Sequence, residues 1–244
     1  MSNKLVIIPT YNEKENIEKI IRTIFSLEEY YHLLIVDDNS PDKTANIIKD
    51  LQKEFSERLF IIERSGKLGL GTAYITAFKW AIEHKYDYIS EMDADFSHDP
   101  KYLKSLFKAC ADNDVAIGSR YCQGIAVTNW PLRRVVISYG ASFYVRNILH
   151  MRIFDSTAGF VCYKREVLES IDLDSIQMKG YGFQIEMKYN AYKLHYKIKE
   201  VPIVFVNRKE GTSKMNSSIF GEAFWGVIKL KFRKIKKRNA NTNK

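Results

Sequence analysis

Apolar runs alternate with helix-spaced apolar patterns through the first half of this 244-residue chain, and little else about it constrains the fold as tightly. Lys4-Leu5-Val6-Ile7-Ile8-Pro9 is continuously apolar, as a strand buried on both faces must be. Beyond the polar Thr10-Tyr11-Asn12-Glu13, Ile17, Ile20, Ile21 and Ile24 fall at i, i+3, i+4 and i+7, one face of a helix. The pattern repeats: Leu33-Leu34-Ile35-Val36 precedes a helix with Ile47, Ile48, Leu51 and Phe55, and Leu59-Phe60-Ile61-Ile62 precedes one with Ala73, Ala77, Phe78 and Ala81. A fourth run from Tyr88 to Met92 leads to a helix after Pro100, and Val115-Ala116-Ile117-Gly118 is the next strand. Such alternation predicts an α/β fold of βαβ units, a mostly parallel sheet flanked by helices. The length suits one large domain with a proper core.

In a parallel sheet, ligands sit at the carboxyl ends of the strands. Three of those ends are polar or acidic here: Tyr11/Asn12/Glu13, Asp37/Asp38 and Asp93/Asp95. Asp93 and Asp95, two residues apart at a strand end, point to one side and can converge on a hard cation. A Mg²⁺ or Mn²⁺ held by two carboxylates takes phosphate oxygens at its remaining positions, so the pair predicts a metal–diphosphate site. Taken alone, an Asp-x-Asp is more often an ordinary solvated turn; it is the agreement of three strand ends that favours the site. Gly66-x-x-Gly69-x-Gly71 lacks the dinucleotide spacing and follows the third strand rather than the first, so it is read as a flexible backbone at a helix N-terminus.

The second half is less regular. Trp130 to Leu149 reads as a helix with an amphipathic face, Ala158 to Tyr163 as a strand, Phe183 to Leu194 as a helix, and Tyr196 to Val206 as a long strand interrupted by Pro202. Arg120 follows a buried strand and so joins the edge that carries the acidic loops, while Arg133 and Arg134 open the helix after Trp130-Pro131. Arginine suits phosphate because its planar fork donates two parallel hydrogen bonds. Singly, each of these would be a surface charge or a structural ion pair. Arg208 and Lys214 flank Glu210-Gly211-Thr212-Ser213, a segment able to close over a bound phosphate. The histidines show no ligand spacing and are expected to be structural or exposed.

The net charge of +9 is gathered at one end. From Asn207 to Lys244 there are eleven basic residues against Glu210 and Glu222, and the rest of the chain is balanced. Ile219, Phe220, Ala223, Phe224, Val227 and Ile228 form an apolar helical stripe running into that basic tail, which fits either an interfacial helix on anionic lipid or a core-packed helix with a solvated tail. Nucleic acid is disfavoured as a partner: no aromatic residue follows Phe232, and acidic strand ends repel a phosphate backbone. Cys110, Cys122 and Cys162 are odd in number and widely spaced, the usage of a reducing cytoplasm. Neither a signal peptide nor a stretch long enough to span a bilayer is expected.

The ordered motifs carry a resemblance. Pro9-Thr10-Tyr11-Asn12-Glu13, Val36-Asp37-Asp38-Asn39-Ser40-Pro41-Asp42, Gly69-Leu70-Gly71-Thr72-Ala73, Asp93-Ala94-Asp95-Phe96-Ser97-His98-Asp99-Pro100, Gly118-Ser119-Arg120-Tyr121, Lys179 to Met187, Glu200-Val201-Pro202-Ile203 and Gly211 to Met215 resemble the polyprenol/dolichol-phosphate mannose synthases, GT-A glycosyltransferases of family 2, over about residues 4–230. The resemblance implies a GT-A (Rossmann-like) fold over 1–215, followed by an amphipathic helix and basic tail over 216–244. It implies transfer of mannose from GDP-mannose to a polyprenyl monophosphate with inversion, assisted by Mg²⁺ or Mn²⁺. Pro9, Tyr11, Glu13, Val36 and Asp38 would hold the nucleotide, and Asp93, Ala94 and Asp95 the ribose, diphosphate and metal. Arg120 and Arg134 would clasp the acceptor phosphate with Ser138 nearby, and Lys179, Arg208 and Lys214 would reach the donor diphosphate or the acceptor. Asp95, Arg120, Arg134 and Arg208 are thus the expected catalytic groups. Two positions depart from the pattern: Asn207 stands where relatives often carry an acid, and Ser97 where some carry Gln. A family 2 enzyme using another donor, such as UDP-glucose, is the alternative, and a basic binding module a remote one. The enzyme is expected to be cytoplasmic and peripheral on the membrane.

Overall fold

The computed structural model describes residues 3–207, 217–235 and 237, with the side chains of 217–223 excepted. In chain order the elements are β1 (Lys4–Thr10), α1 (Ile17–Phe25), β2 (His32–Asp37), α2 (Thr44–Glu54), β3 (Leu59–Glu63), α3 (Leu70–Glu83), β4 (Tyr88–Glu91), α4 (Leu103–Asp112) and β5 (Val115–Ser119). Then come β6 (Val127–Thr128), α5 (Leu132–Leu149), β7 (Val161–Lys164), α6 (Arg165–Ser170), α7 (Tyr181–Lys193), β8 (Ile198–Pro202), β9 (Phe205–Val206) and α8 (Ser217–Phe232).

Seven strands form one sheet in the order β3-β2-β1-β4-β7-β5-β8, and β6 pairs β9 in a small second sheet. All neighbours in the large sheet are parallel except β7, which runs antiparallel to both β4 and β5. The apolar runs are buried on both faces because successive side chains alternate between two cores. Leu5, Ile7, Leu34 and Val36 face α3, α6 and α7, whereas Val6, Ile8, Leu33 and Ile35 face α1, α2 and α4. Ahead of α4, Asp99 accepts the Lys101 N–H at 3.0 Å and Pro100 opens a short 3₁₀ turn, an N-terminal stop that the Asp-Pro pair encodes locally.

Three expectations for the second half change. The strand expected from Ala158 begins at Val161 and is antiparallel. The long strand expected from Tyr196 to Val206 splits, since Pro202, which has no N–H to donate, is the last residue of β8 and the chain then turns to pair β9 with β6. The helix after Pro131 is present as α5, but it is not amphipathic in the ordinary sense, because Leu132, Val136, Tyr139 and Phe143 on its outer side are exposed. Finally, α8 is packed on α5 and α7. Its Val227 and Leu230 belong to the same core as α3, while Phe224, Trp225 and Phe232 face outward.

Candidate active site

The carboxyl ends of β1, β2, β4 and β5 lie along one edge of the sheet. Asp37 is fully buried and accepts from Thr10 Oγ1 (2.8 Å), Ser40 N–H (2.9 Å) and Ser40 Oγ (2.6 Å), so it braces the turn rather than facing a ligand. Its neighbour Asp38 takes a hydrogen bond from Arg64 Nε at 2.6 Å. Arg64 also donates to Thr72 Oγ1 (2.8 Å) and the Gly69 carbonyl (3.1 Å), tying the end of β2 to the glycine loop. After β1, the Asn12 and Glu13 N–H groups donate to Ser40 Oγ (3.0 Å) and Thr44 Oγ1 (3.1 Å), and Lys67 lies 4.6 Å above the Tyr11 ring. These bonds fasten the first three strand-end loops to one another.

The loop after β4 is set by its own residues. Phe96 has φ +58°, and the Ser97 N–H donates to Asp95 Oδ1 at 3.0 Å. The Asp93 N–H donates to His98 Nδ1 at 3.1 Å, which puts the imidazole proton on Nε2. His98 is buried, stacked on Phe160 at 5.0 Å, and burial depresses its pKa to about 4, so the ring is neutral at pH 7. Asp93 keeps a side chain 40% exposed, while Ala94 is buried and can offer a ligand only its main chain. Behind the pair, burial raises Glu91 to about 8 and lowers Lys188 to about 8, each moderated by the other's charge. Gln184 bridges them, donating to Glu91 at 2.7 Å and accepting from Lys188 at 3.3 Å.

On the other side of the loop a cavity of about 860 Å³ opens, into which Asp93, Arg120, Arg134 and Ser138 all face. One wall is apolar and comes from three helices: Ile137, Ala141 and Val145 of α5, Ile185 of α7, and Phe224 and Val227 of α8. Arg134 lies 4.0 Å above the Trp130 ring and donates to Asn207 Oδ1 at 2.9 Å. Tyr121 donates to Ser138 Oγ at 2.8 Å. Arg120 is buried against Asp155, which accepts from Nε (2.7 Å), Nη2 (2.6 Å) and the Arg120 main-chain N–H (2.9 Å). Burial opposes both charges, yet their attraction and hydrogen bonds outweigh it: Arg120 is raised and Asp155 held below the usual carboxylate range. Two polar atoms on the wall, Trp130 Nε1 and Tyr74 Oη, are buried without a hydrogen-bond partner among the described residues, a cost that a polar ligand can relieve.

Asp93, Arg120, Arg134 and Ser138 therefore share one space. Pro9, Tyr11, Glu13, Asp38 and Asp95 line the same sheet edge outside that cavity. The Val36 side chain is sealed in the core, which leaves only its main chain for a nucleotide. Lys179 is exposed and directly precedes Gly180 and Tyr181, which line the cavity. Arg208 and Lys214 lie outside the described residues. The sequence did not single out Asp155, Thr157, Glu200 or Trp130 as site residues; the one available signal was that an arginine at a buried strand end needs a carboxylate partner.

Among the described residues no three His, Cys, Asp or Glu side chains are grouped to hold a metal. A site of two carboxylates suits Mg²⁺ or Mn²⁺ all the same, since these ions commonly take one or two carboxylates and fill the rest of the shell with substrate phosphate and water.

A mostly parallel sheet with one reversed strand, a carboxylate pair at the end of a central strand and a cavity opening beside that pair define a nucleotide-sugar transferase of the GT-A type. Residues 5–172 match the family Glycosyl transferase family 2, and the chain belongs to that family of glycosyltransferases. It is 44% identical over 229 residues to polyprenol monophosphomannose synthase of Mycolicibacterium smegmatis, covering 91% of this chain and 86% of that one. It is 42% identical over 225 residues to undecaprenyl-phosphate mannosyltransferase of Micrococcus luteus, covering 92% of each. The fold is shared with crystal structures of glucosyl-3-phosphoglycerate synthase from Mycobacterium tuberculosis. The complex with Mn²⁺, UDP and glucosyl-3-phosphoglycerate has a TM-score of 0.64 at 18% identity, covering 93% of this chain and 77% of that one.

Proposed function

We propose that this chain transfers mannose from GDP-mannose to a polyprenyl monophosphate with inversion, giving polyprenyl-phosphate β-mannose and GDP. The observation that carries the proposal is the shape and chemistry of the cavity. Its polar end has Asp93, Arg120, Arg134 and Ser138, and its wall continues as an apolar surface from α5, α7 and α8. A ligand with a phosphate head and a hydrocarbon tail matches both parts. The two mannosyltransferase relatives, alike over more than nine-tenths of the chain, support the same substrate class.

The chemistry needs little acid–base help. A phosphate monoester has its second pKa near 6 and is already ionised at neutral pH, so no general base has to deprotonate it. The chain's task is positioning and charge stabilisation. Arg120 and Arg134, with Ser138, would hold the acceptor phosphate, and Lys179, Arg208 and Lys214 would reach the diphosphates. Pro9, Tyr11, Glu13, Val36 and Asp38 would seat the nucleotide on the neighbouring strand ends. Asp93 and Asp95 would hold Mg²⁺ or Mn²⁺, which when bound neutralises charge developing on the leaving diphosphate. A single in-line displacement with the acceptor opposite the leaving group gives the inversion. Residues 1–215 would be the catalytic domain and 216–244 an extension docked on it that meets anionic lipid, the enzyme working peripherally at the cytoplasmic membrane face. Among the described residues no helix is long and apolar enough to cross a membrane.

The test is direct: labelled GDP-mannose, Mg²⁺ or Mn²⁺ and polyprenyl phosphate are incubated with the protein, and mannosylated lipid is extracted. Product with GDP-mannose and none with UDP-glucose is expected. Transfer from UDP-glucose instead would move the donor assignment, and no product with any donor would sink the proposal. Asp95→Ala is expected to abolish transfer, and undiminished turnover in that variant would refute the metal–diphosphate assignment.

A further inference from the structure

Arg120 is held far more tightly than a ligand-binding arginine requires, and the residues that hold it come from elsewhere in the chain. Its Nε and Nη2 are engaged by Asp155, and Nη2 also donates to Thr157 Oγ1 at 2.9 Å. Nη1 takes part in none of these bonds, although the residue lines the cavity. Rings of Tyr121, Trp130 and Phe205 stand 5.0, 5.6 and 5.5 Å from the guanidinium carbon. The group is fixed in both plane and direction.

Asp155 itself lies in no helix or strand, between α5 and β7. What anchors it is Glu200 on β8, whose two oxygens accept the Phe154 N–H at 2.8 Å and the Asp155 N–H at 3.0 Å. β8 pairs with β5 at Ile117↔Glu200, and Arg120 follows directly after β5. Glu200, Asp155 and Arg120 thus form a strut that leaves the sheet at β8 and returns beside the end of β5. Counted together they carry one positive and two negative charges, so the strut brings the cavity no net attraction for a phosphate. What it brings is a hydrogen-bond donor whose orientation is set before the ligand arrives, the arrangement in which an electrostatic contact stabilises a transition state best.

We propose that Asp155 and Glu200 are positioning residues for the transfer reaction: Glu200 fixes the 154–155 backbone, Asp155 fixes the Arg120 guanidinium, and Arg120 presents its remaining edge to the acceptor phosphate. The proposal rests on the cavity being the acceptor-phosphate site. Glu200→Gln keeps the size of the side chain but turns an NH₂ toward one of the two N–H donors, which frees that part of the loop. With acceptor varied at saturating donor, turnover should fall about tenfold, the usual effect of removing a group that orients a ligand-binding residue. The donor KM should barely move, and the thermal midpoint should fall by only a few degrees, about what one unsatisfied N–H costs. Glu200→Asp, one methylene short, is the second variant and should show the same loss.

A double-mutant cycle makes the test specific. Arg120→Lys keeps the charge but loses the fork and should cut turnover by about a hundredfold or more. If Glu200 acts through Arg120, adding Glu200→Gln to Arg120→Lys should cost less than about twofold further, because the interaction is already gone. Turnover in both Glu200 variants within about twofold of the parent, or a full further tenfold loss in the Arg120→Lys background, would overturn the strut. Neither result would touch the acceptor-site assignment. An Arg120→Lys enzyme with undiminished turnover would sink that assignment, and the strut with it.

Discussion

His98 is neutral because it is buried, and its neutrality is useful only because the Asp93 N–H needs an acceptor at Nδ1. Protonation there removes the acceptor and places a desolvated charge in the core. The folded pKa of about 4 lies below the ordinary 6.5, so this contribution to stability is fully present above about pH 6.5 and lost as the pH falls through 4. A shift of that size is about 3 kcal/mol. Glu91 acts in the opposite sense: raised from 4.5 to about 8, it stabilises fully below 4.5 and loses that contribution as the pH rises through 8. The whole-protein profile mixes the two, so comparison with His98→Gln isolates the first. Urea unfolding of metal-free protein between pH 7.5 and 4 should show a steeper acid loss in the parent than in His98→Gln, and parallel curves would refute the assignment. At this scale the sequence is legible where the chemistry is local. Asp93, Asp95 and Arg120 could be nominated because each falls within three residues of the end of an apolar run. Asp155 and Glu200 were not, since Arg120 finds Asp155 35 residues away and Glu200 bonds Asp155 across 45, and no periodicity encodes such pairs.

Elements were legible in proportion to how far their own residues determine them. The βαβ half came through within a residue or two at the strand ends because burial on both faces leaves an uninterrupted apolar run. The direction of β7 did not, since Val161-Cys162-Tyr163-Lys164 reads the same whether its neighbours run with it or against it. The glycine loop shows both sides. Gly69, with φ +103°, sits at the N-cap of α3, as a flexible backbone at a helix start should. Gly71 has a reason no local pattern carries: a Cβ there would meet Phe183 Cδ2 at 2.9 Å. Phe183 is fully buried and stacked 5.8 Å from Tyr74, so it cannot swing away, and α3 and α7 depend on this close approach. Overpacking of this kind costs about 1–3 kcal/mol, against about 1 kcal/mol gained from alanine's helix propensity. Gly71→Ala should therefore lower stability by up to about 2 kcal/mol, and Gly71→Ala with Phe183→Leu should recover part of it. A gain in urea midpoint for Gly71→Ala alone would show that the helices are free to part.

For the molecule as a whole, the proposed polyprenyl acceptor raises the question of which surface would meet the lipid that holds it. The sequence pointed to the basic tail, and the fold adds an apolar face that the pattern of α5 concealed. Leu132, Val136, Tyr139 and Phe143 fall at i, i+4, i+7 and i+11, one stripe, and are 40–77% exposed. Tyr144 stacks on Phe224 at 4.7 Å and joins this stripe to the outward Trp225 of α8. The two helices also wall the cavity, so a chain entering from hydrocarbon would pass along them. No acidic residue lies on α5, and exposed Lys229, Lys231, Lys234 and Lys237 follow on or just beyond α8. Removing the tail by cutting at Gly226 would also strip Val227 and Leu230 from the core, so substitution is the cleaner experiment. Each apolar side chain buried at the interface is worth about 1.5–3 kcal/mol at most, and each lysine near anionic lipid about 1 kcal/mol. Val136→Ser with Phe143→Ser, which removes apolar surface without adding charge, should lower binding to vesicles of equal phosphatidylglycerol and phosphatidylcholine by about tenfold or more, with little change on raising the salt. Replacing the four lysines by Gln should weaken binding chiefly at low salt, because screening already removes that attraction at high salt. Co-sedimentation unchanged by the α5 pair but abolished by the lysine set would return the docking surface to the tail alone. Loss on the α5 pair would place the acceptor's entry between α5 and α8, where the apolar wall begins.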